Sequence, residues 1–306
     1  MRMLSRGAGL TAAAAMLGFS ANAWAAELLG QPTPGAINLQ PAATVLKRDA
    51  IHFHDWILLP IITAIALLVL FLLLYCVVRF NKRSNPTPAR FTHNTYVEIV
   101  WTLVPVLILA FIAIFSFKLL YEYHDMPPPD VTLKATGNQW YWTYEYQNPK
   151  VSEFTSTLMP EDKAGATLYR LRADNPLVVP VNKVVRVQVT GADVIHAFAV
   201  PAFGIKIDAI PGRLNQTWFK AERVGTYYGQ CSELCGVDHA FMPIEVRVVT
   251  QPEFDAWVAS KGGGKTGPAA PAVAAPAPSS APAASSAPAA SSTPAAPSSA
   301  PAAVAH

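Results

Sequence analysis

The stretch Cys231-Ser-Glu-Leu-Cys235-Gly-Val-Asp-His239-Ala-Phe-Met242 sets two thiols, an imidazole, a thioether and two carboxylates within twelve residues. The chain has three cysteines, and two of them are here. Thiolate and thioether sulfur with imidazole nitrogen form a soft donor set that selects copper, or less specifically zinc and iron–sulfur clusters. Cys231 and Cys235 are four apart, so one turn can aim both sulfurs at a common centre. A second imidazole stands upstream: His196, at the end of an apolar alternating run. A single blue-copper ion takes two His, one Cys and a weak axial Met, which leaves one thiol over. Two copper ions bridged by both thiolates use every donor. Each ion then takes both sulfurs and one His, Met242 binds one ion weakly, and the Glu233 backbone carbonyl serves the other. Two plainer readings stay open at this point. One is a Cys231–Cys235 disulfide in an oxidising compartment. The other is structural zinc on two Cys and two His, which leaves Met242 idle and lacks finger-like spacing.

Outward from this loop, the composition is that of a membrane protein. Of 306 residues, 52% are hydrophobic and 14% charged. Trp56–Val78 is a run of 23 residues without formal charge, and Ile99–Phe117 a second run of 19. At about 1.5 Å per residue each spans a hydrocarbon layer of roughly 30 Å. Pro105 lies inside the second run and is expected to kink its helix unless neighbours absorb the lost hydrogen bond. Cys76, in the first run, reads as a buried structural thiol. The link after the first run carries Arg79, Lys82, Arg83 and Arg90, with no acid before Glu98 at the foot of the second. The positive-inside rule puts it in the cytoplasm and both outer ends in the periplasm. Residues 1–26 agree with that topology. A basic start at Arg2 and Arg6, an alanine-rich apolar core and two Ala-x-Ala-type sequences near Ala23 read as a signal peptide. Residues 27–53 are then an extended periplasmic arm, and residues 54–120 the transmembrane hairpin. Residues 261–306 are mostly Ala, Pro and Ser without an aromatic residue, a tail that cannot form a core.

Residues 121–260 form the extracytoplasmic domain. Strand-like runs fall at 131–135, 139–146, 168–173, 184–190, 217–219 and 244–249, with turn signals between them. Val185, Val187 and Val189 alternate with Arg186, Gln188 and Thr190, the pattern of a half-buried strand. Short strands with a late ligand loop suggest a Greek-key β-sandwich. At period two, Trp140, Trp142, Tyr144 and Tyr146 point one way and read as core. The domain carries 16 acids and 12 bases, net −4, inside a chain of net +3. An acidic surface of this kind steers a basic partner.

The cysteine loop resembles the binuclear CuA motif of cytochrome c oxidase subunit II, and the resemblance covers roughly residues 31–255. It implies a two-helix transmembrane hairpin followed by an all-β cupredoxin-like Greek-key sandwich and a disordered Ala/Pro-rich C-terminal tail, in a bacterial inner membrane. It implies CuA ligation by His196, Cys231, the Glu233 carbonyl, Cys235, His239 and Met242. The Glu233 carboxylate would help bind a magnesium or manganese ion at the border with subunit I, a hard cation suiting a carboxylate. Trp140 would receive electrons beside copper, and a bend or bulge near it would reconcile that role with a buried stripe. Glu98, otherwise a helix-start carboxylate favoured by the dipole, would sit at the mouth of a proton path towards subunit I. Arg213 would lie near the haem propionates of subunit I, although an Asp208–Arg213 ion pair explains it equally from the sequence. Glu145, Asp174 and Asp193 would belong to the cytochrome c docking face.

The function so implied is electron acceptance from cytochrome c at CuA and delivery to haem in subunit I. Oxygen is reduced to water there and protons are pumped. Subunit I, subunit III, cytochrome c and the bilayer are the expected partners, with no nucleic acid. The chain has no histidine set inside its helices to hold haem, so the haem and the oxygen chemistry belong to a partner. No Cys-x-x-Cys-His occurs, so the haem domain that some relatives carry is not expected. Quinol oxidases share the fold without the copper ligands present here. Nitrous oxide reductase shares the loop without membrane helices. A membrane-anchored copper carrier would need an open site, which five convergent ligands do not suggest.

Overall fold

The computed structural model describes residues 30–264 except Pro34 and Pro88. The signal-peptide reading of residues 1–26 and the tail reading beyond residue 264 lie outside the described residues.

Two long helices form a hairpin. The first runs without interruption through α1 (Val45–Phe53), a π-helical turn (His54–Leu58) and α2 (Leu59–Arg79), 35 residues in all. The second, α3 (Thr95–His124), has 30 residues. Thr44 caps α1 by accepting the Lys47 N–H at 3.1 Å, and Asn94 caps α3 by accepting from Tyr96 and Val97. The first helix therefore starts at Val45, within the segment read as an extended arm, because a good N-cap precedes a helix-compatible run there. The assigned helix α3 continues through Pro105. The side chains of α2 and α3 are exposed along most of their length, and none is buried inside the chain. Cys76 is among the exposed ones, which corrects the reading of a buried thiol. Between the helices an apolar groove of about 470 Å³ is lined by residues such as Ile61, Ala64, Val104 and Phe111.

The remainder is a sandwich of two five-stranded sheets. One sheet has the order β3 (Val151–Ser156), β2 (Tyr141–Asn148), β1 (Val131–Asn138), β5 (Val184–Gly191), β8 (Asn215–Lys220). The other has β4 (Leu177–Pro180), β10 (Pro243–Val249), β9 (Gly225–Cys231), β6 (His196–Val200), β7 (Ile205–Ala209). Connections that pass from one sheet to the other make β1 parallel to β5 and β4 parallel to β10, and the other pairs are antiparallel. A short helix α4 (Glu161–Ala164) lies between β3 and β4, and α5 (Gln251–Ser260) follows β10 under a capping box from Thr250 and Glu253.

The core lies between the sheets. Val185, Val187 and Val189 point into it from β5, facing a layer that includes Phe198, Tyr227, Ile244 and Val246. Each fully buried large apolar side chain contributes about 1.5–3 kcal/mol. The run 168–173 is not a strand. The Leu171 and Arg172 N–H groups bond back to Leu168 O, Arg170 has φ +70°, and only Ala173 makes a bridge, to Leu158. Local turn bonds there win over the apolar alternation.

The arm ties the helix pair to the sandwich. Ala43 N–H donates to Ala202 O at 2.9 Å, the Thr44 hydroxyl to Phe203 O at 2.8 Å, and Glu222 N–H to Ala43 O at 3.0 Å. From α3, the Tyr123 hydroxyl reaches Gly204 O at 2.9 Å. Inside the core, the Tyr146 hydroxyl donates to Val178 O at 2.6 Å and accepts Val178 N–H at 3.1 Å. Tyr146→Phe leaves both backbone groups of Val178 short of that partner in a dry site. It is expected to lower stability by about 1–3 kcal/mol, seen as a lower urea midpoint with unchanged slope for the detergent-solubilised chain.

Candidate metal centre

The donor atoms come from three places in the second sheet. His196 opens β6, Cys231 closes β9, and the loop from Cys231 to Met242 returns the chain to β10. The β6–β9 pairing of Phe198 with Cys231 brings the first two together across 35 positions of sequence. Cys231 and Cys235 are free, with their sulfurs 3.8 Å apart. His196 Nδ1 lies 3.9 Å from Cys231 Sγ, and Glu233 O 3.3 Å from the same sulfur. His239 Nδ1 lies 3.4 Å from Cys235 Sγ, and Met242 Sδ 3.5 Å from it. The donor atoms of His196, Cys231 and Cys235 all fall within 4.8 Å of one another. Each sulfur thus has its own imidazole and one weaker donor. His196, Cys231, Cys235 and Met242 are buried, and His239 is half-buried at the rim.

The donor set is one that could hold a metal ion. Burial and the neighbouring Cys231 sulfur push the Cys235 thiol up to about 12. Two thiolates so close in a dry place repel each other unless a cation stands between them. With soft donors on both sides, copper meets that need better than a hard ion.

A second layer holds the donors still. His196 Nε2 lies 2.8 Å from Asp193 Oδ1, which fixes the ring so that Nδ1 faces the sulfur. The same carboxylate accepts Val194 N–H at 2.6 Å and Gln139 N–H at 2.7 Å. Burial pushes the Asp193 carboxyl up, but the bonds from His196, Val194 and Gln139 outweigh it and hold it below its ordinary value. Because folding lowers this pKa, its contribution to stability is present above the usual carboxylate range. It is lost as the pH falls through the depressed value. Trp142 packs edge-on to His196, with ring centres 6.2 Å apart, and its Nε1–H points to Met242 O at 3.4 Å. Gly137 passes so close that an added Cβ would stand 2.8–2.9 Å from the His196 ring.

Trp140 is outside the strand that carries its aromatic companions. Asn138 pairs with Tyr141, so Gln139 and Trp140 form a two-residue hairpin turn. Trp142, Tyr144 and Tyr146 are buried, while Trp140 is half-buried. Its Nε1–H lies 3.2 Å from Cys235 O, and Gln139 Nε2 donates to the same oxygen at 2.9 Å. Gly236 has φ +125°, and a Cβ there would meet the Trp140 ring at 2.9 Å. Beside Trp140 opens a surface hollow of about 420 Å³ bounded by Thr157, Leu158, Asp238 and Phe241. In the donor loop, Leu234 and Val237 are 79% and 84% exposed.

The other sequence candidates are more dispersed. The Glu233 carboxylate is exposed, 3.7 Å from Lys206 Nζ. Asp208 pairs with Lys206 at 3.2 Å rather than with Arg213, which corrects the suggested ion pair, and Arg213 is exposed on the turn after β7. Asp174 accepts the N–H and hydroxyl of Thr157 at 2.7 and 2.9 Å, so it ties a loop as well as charging the surface. Glu145 faces outward on β2, in register with Lys134. Glu98 lies in the first turn of α3, roughly 40 Å by helix rise from its periplasmic end. Gly137, Gln139 and Trp142 were not singled out as parts of the site. Only Gly137 carried a signal, since glycine inside a strand marks close approach.

The chain is similar in sequence to known proteins. The family profile "Cytochrome C oxidase subunit II, periplasmic domain" matches residues 131–249, and "Cytochrome C oxidase subunit II, transmembrane domain" matches 32–119. Cytochrome c oxidase subunit 2 of Cereibacter sphaeroides is 46% identical over 276 residues, 84% of this chain and 89% of that one. The Zea mays protein of the same description is 45% identical over 235 residues, 74% of this chain and 90% of that one. The crystal structure of the periplasmic domain of subunit II of cytochrome oxidase from Bradyrhizobium japonicum is 64% identical, with TM-score 0.42. It covers 45% of this chain and 97% of that one.

Asp193→Asn keeps the shape but weakens the hold on His196. It is expected to lower metal affinity about 10- to 100-fold in competition with a chelator. Gly137→Ala, which drives a methyl group into the His196 ring, is expected to lose at least as much.

Proposed function

The chain belongs to the cytochrome c oxidase subunit II family, and we propose that it is the electron-accepting subunit of a haem–copper oxygen reductase, with a binuclear CuA centre reduced by cytochrome c. One observation carries this reading: two buried, unbonded thiols 3.8 Å apart, each with its own imidazole and one weaker donor. His196, Cys231, Cys235, His239, Met242 and the Glu233 carbonyl would hold two copper ions. The set fits them because every donor is soft or neutral and none is left over. When bound, copper supplies a one-electron couple with its charge spread over both thiolates.

The chain's own residues make such a couple fast. Burial of Cys231, Cys235, Met242 and His196 keeps water out, so little solvent reorganises when the charge changes. Asp193 and Trp142 hold the His196 ring, and the strands on both sides fix the ends of the loop. Trp140 is the receiving point, since a half-exposed indole hydrogen-bonded to Cys235 O links the surface to a ligand residue. Asp193, Glu145 and Asp174 belong to the acidic face that attracts cytochrome c. Onward transfer is to haem in subunit I, near whose propionates Arg213 would lie. There the Glu233 carboxylate would share a magnesium or manganese ion once released from Lys206. Glu98 would stand at the mouth of the proton path on the cytoplasmic side. Subunit III completes the expected contacts. The hairpin crosses the membrane and the β domain is periplasmic, so this side meets the electron donor.

The purified full chain, loaded with copper, is expected to hold two coppers and to give a seven-line hyperfine pattern in low-temperature EPR. One copper with a four-line pattern would replace this reading with a single-copper carrier. Cys231→Ser is expected to abolish the seven-line signal. Trp140→Leu is expected to keep that signal and slow reduction by cytochrome c severalfold; an unchanged rate would remove Trp140 from the route.

A further inference from the structure

One charged side chain outside the donor set is held in an unfavourable backbone conformation against the ligand-bearing turn. Arg170 lies in the turns that follow α4 and has φ +70°, a left-handed conformation that arginine rarely adopts. Such a conformation persists where the surroundings over-determine it. Here the Arg170 carbonyl accepts from Gln230 Nε2 at 3.3 Å, on the strand that ends in Cys231. The loop is tied on both flanks. Ala173 N–H donates to the buried Glu245 carboxylate of β10 at 2.9 Å, and Met159 N–H to Arg172 O at 3.0 Å.

What this frame delivers is the guanidinium. Its carbon lies 4.6 Å from the centre of the Phe241 ring, within cation–π range, and 5.9 Å from that of Tyr169. Phe241 ends the single turn that begins at His239, and Met242 follows it directly. The ring under Arg170 is therefore flanked in sequence by two of the donors. Phe241 and Trp140 both line the surface hollow. Among the described residues no carboxylate lies within ion-pair distance of Arg170, so no salt bridge neutralises its charge. The side chain is exposed on its outer side, which leaves that charge open to salt.

We infer that Arg170 is a positioning residue for the metal centre. By clamping Phe241 it fixes the turn that carries His239 and Met242, and it sets a positive charge over that turn which favours the reduced state. The sign follows from charge counting. Reduction brings one electron from the donor, which is oxidised, and lowers the positive charge of the site by one. A fixed cation nearby opposes the oxidised form more than the reduced one. Arginine suits the task because its planar guanidinium lies flat on an aromatic ring, which an ammonium cannot do. The inference rests on the one-electron reading of the site.

The test is a redox titration of the copper-loaded oxidase carrying the unaltered chain, R170Q, R170K or F241L, at low and high salt, with EPR of each. R170Q is expected to be harder to reduce at low salt, its equilibrium with a common mediator about threefold less favourable, with the gap narrowing at high salt. R170K is expected to restore most of the potential, and F241L to broaden the hyperfine lines by loosening the turn. An R170Q centre with unaltered potential at low salt overturns the charge role. Equal shifts in R170Q and R170K overturn it as well, since a purely structural contact would be lost in both. If the unaltered chain holds no redox-active copper, the electron-transfer reading falls first and this inference falls with it.

Discussion

Two cysteine sulfurs held 3.8 Å apart in a dry site are the constraint on which the rest of this structure depends. Burial and the neighbouring Cys231 sulfur both oppose a thiolate at Cys235. A shared soft cation relieves both oppositions at once. The sandwich serves to keep the two sulfurs, two imidazoles and a thioether at that spacing. Strand pairing does most of this, since β6 and β9 are hydrogen-bonded neighbours whose ends carry His196 and Cys231. The loop between β9 and β10 has to supply only the remaining donors.

The same economy appears around the site. Asp193 holds the His196 ring, the first backbone amide of the Gln139–Trp140 turn and its own loop with one carboxylate. The turn then presents Trp140 to the surface while its nitrogen reaches Cys235 O. A surface-accessible ring and a buried ligand residue are joined by one hydrogen bond. The arm and Tyr123 tie the helix hairpin to the sandwich at Ala202, Phe203 and Gly204, in the turn that follows the His196 strand. The membrane anchor and the sheet that carries the donor atoms therefore meet through a short path of packed backbone.

Much of this was legible in the residues. The uncharged runs gave the hairpin, because hydrocarbon cannot solvate charge and helix rise fixes the length needed. The donor loop gave a soft donor set, and the structure brings His196, Cys231 and Cys235 together as a group that could hold a metal ion. Alternation gave β5 and its buried valines. The reading failed at 168–173, where apolar alternation was overruled by turn bonds and a left-handed Arg170. It failed also for Cys76, exposed among the side chains that would face lipid or a partner, and for the partner of Asp208.

The sequence by itself determined which atoms were available: the membrane-spanning lengths, the core pattern of the strands and the soft donors of the proposed metal site. Each follows from a local property, hydropathy, period or ligand softness, that needs no distant neighbour. Only the tertiary structure decided which distant residues would stand beside the donors. His196 meets Cys231, Asp193 turns from a surface acid into the anchor of a ligand, and Trp140 leaves its strand to touch Cys235. Those outcomes depend on strand register and sheet crossing, which bring together positions dozens of residues apart, and no local pattern encodes that pairing.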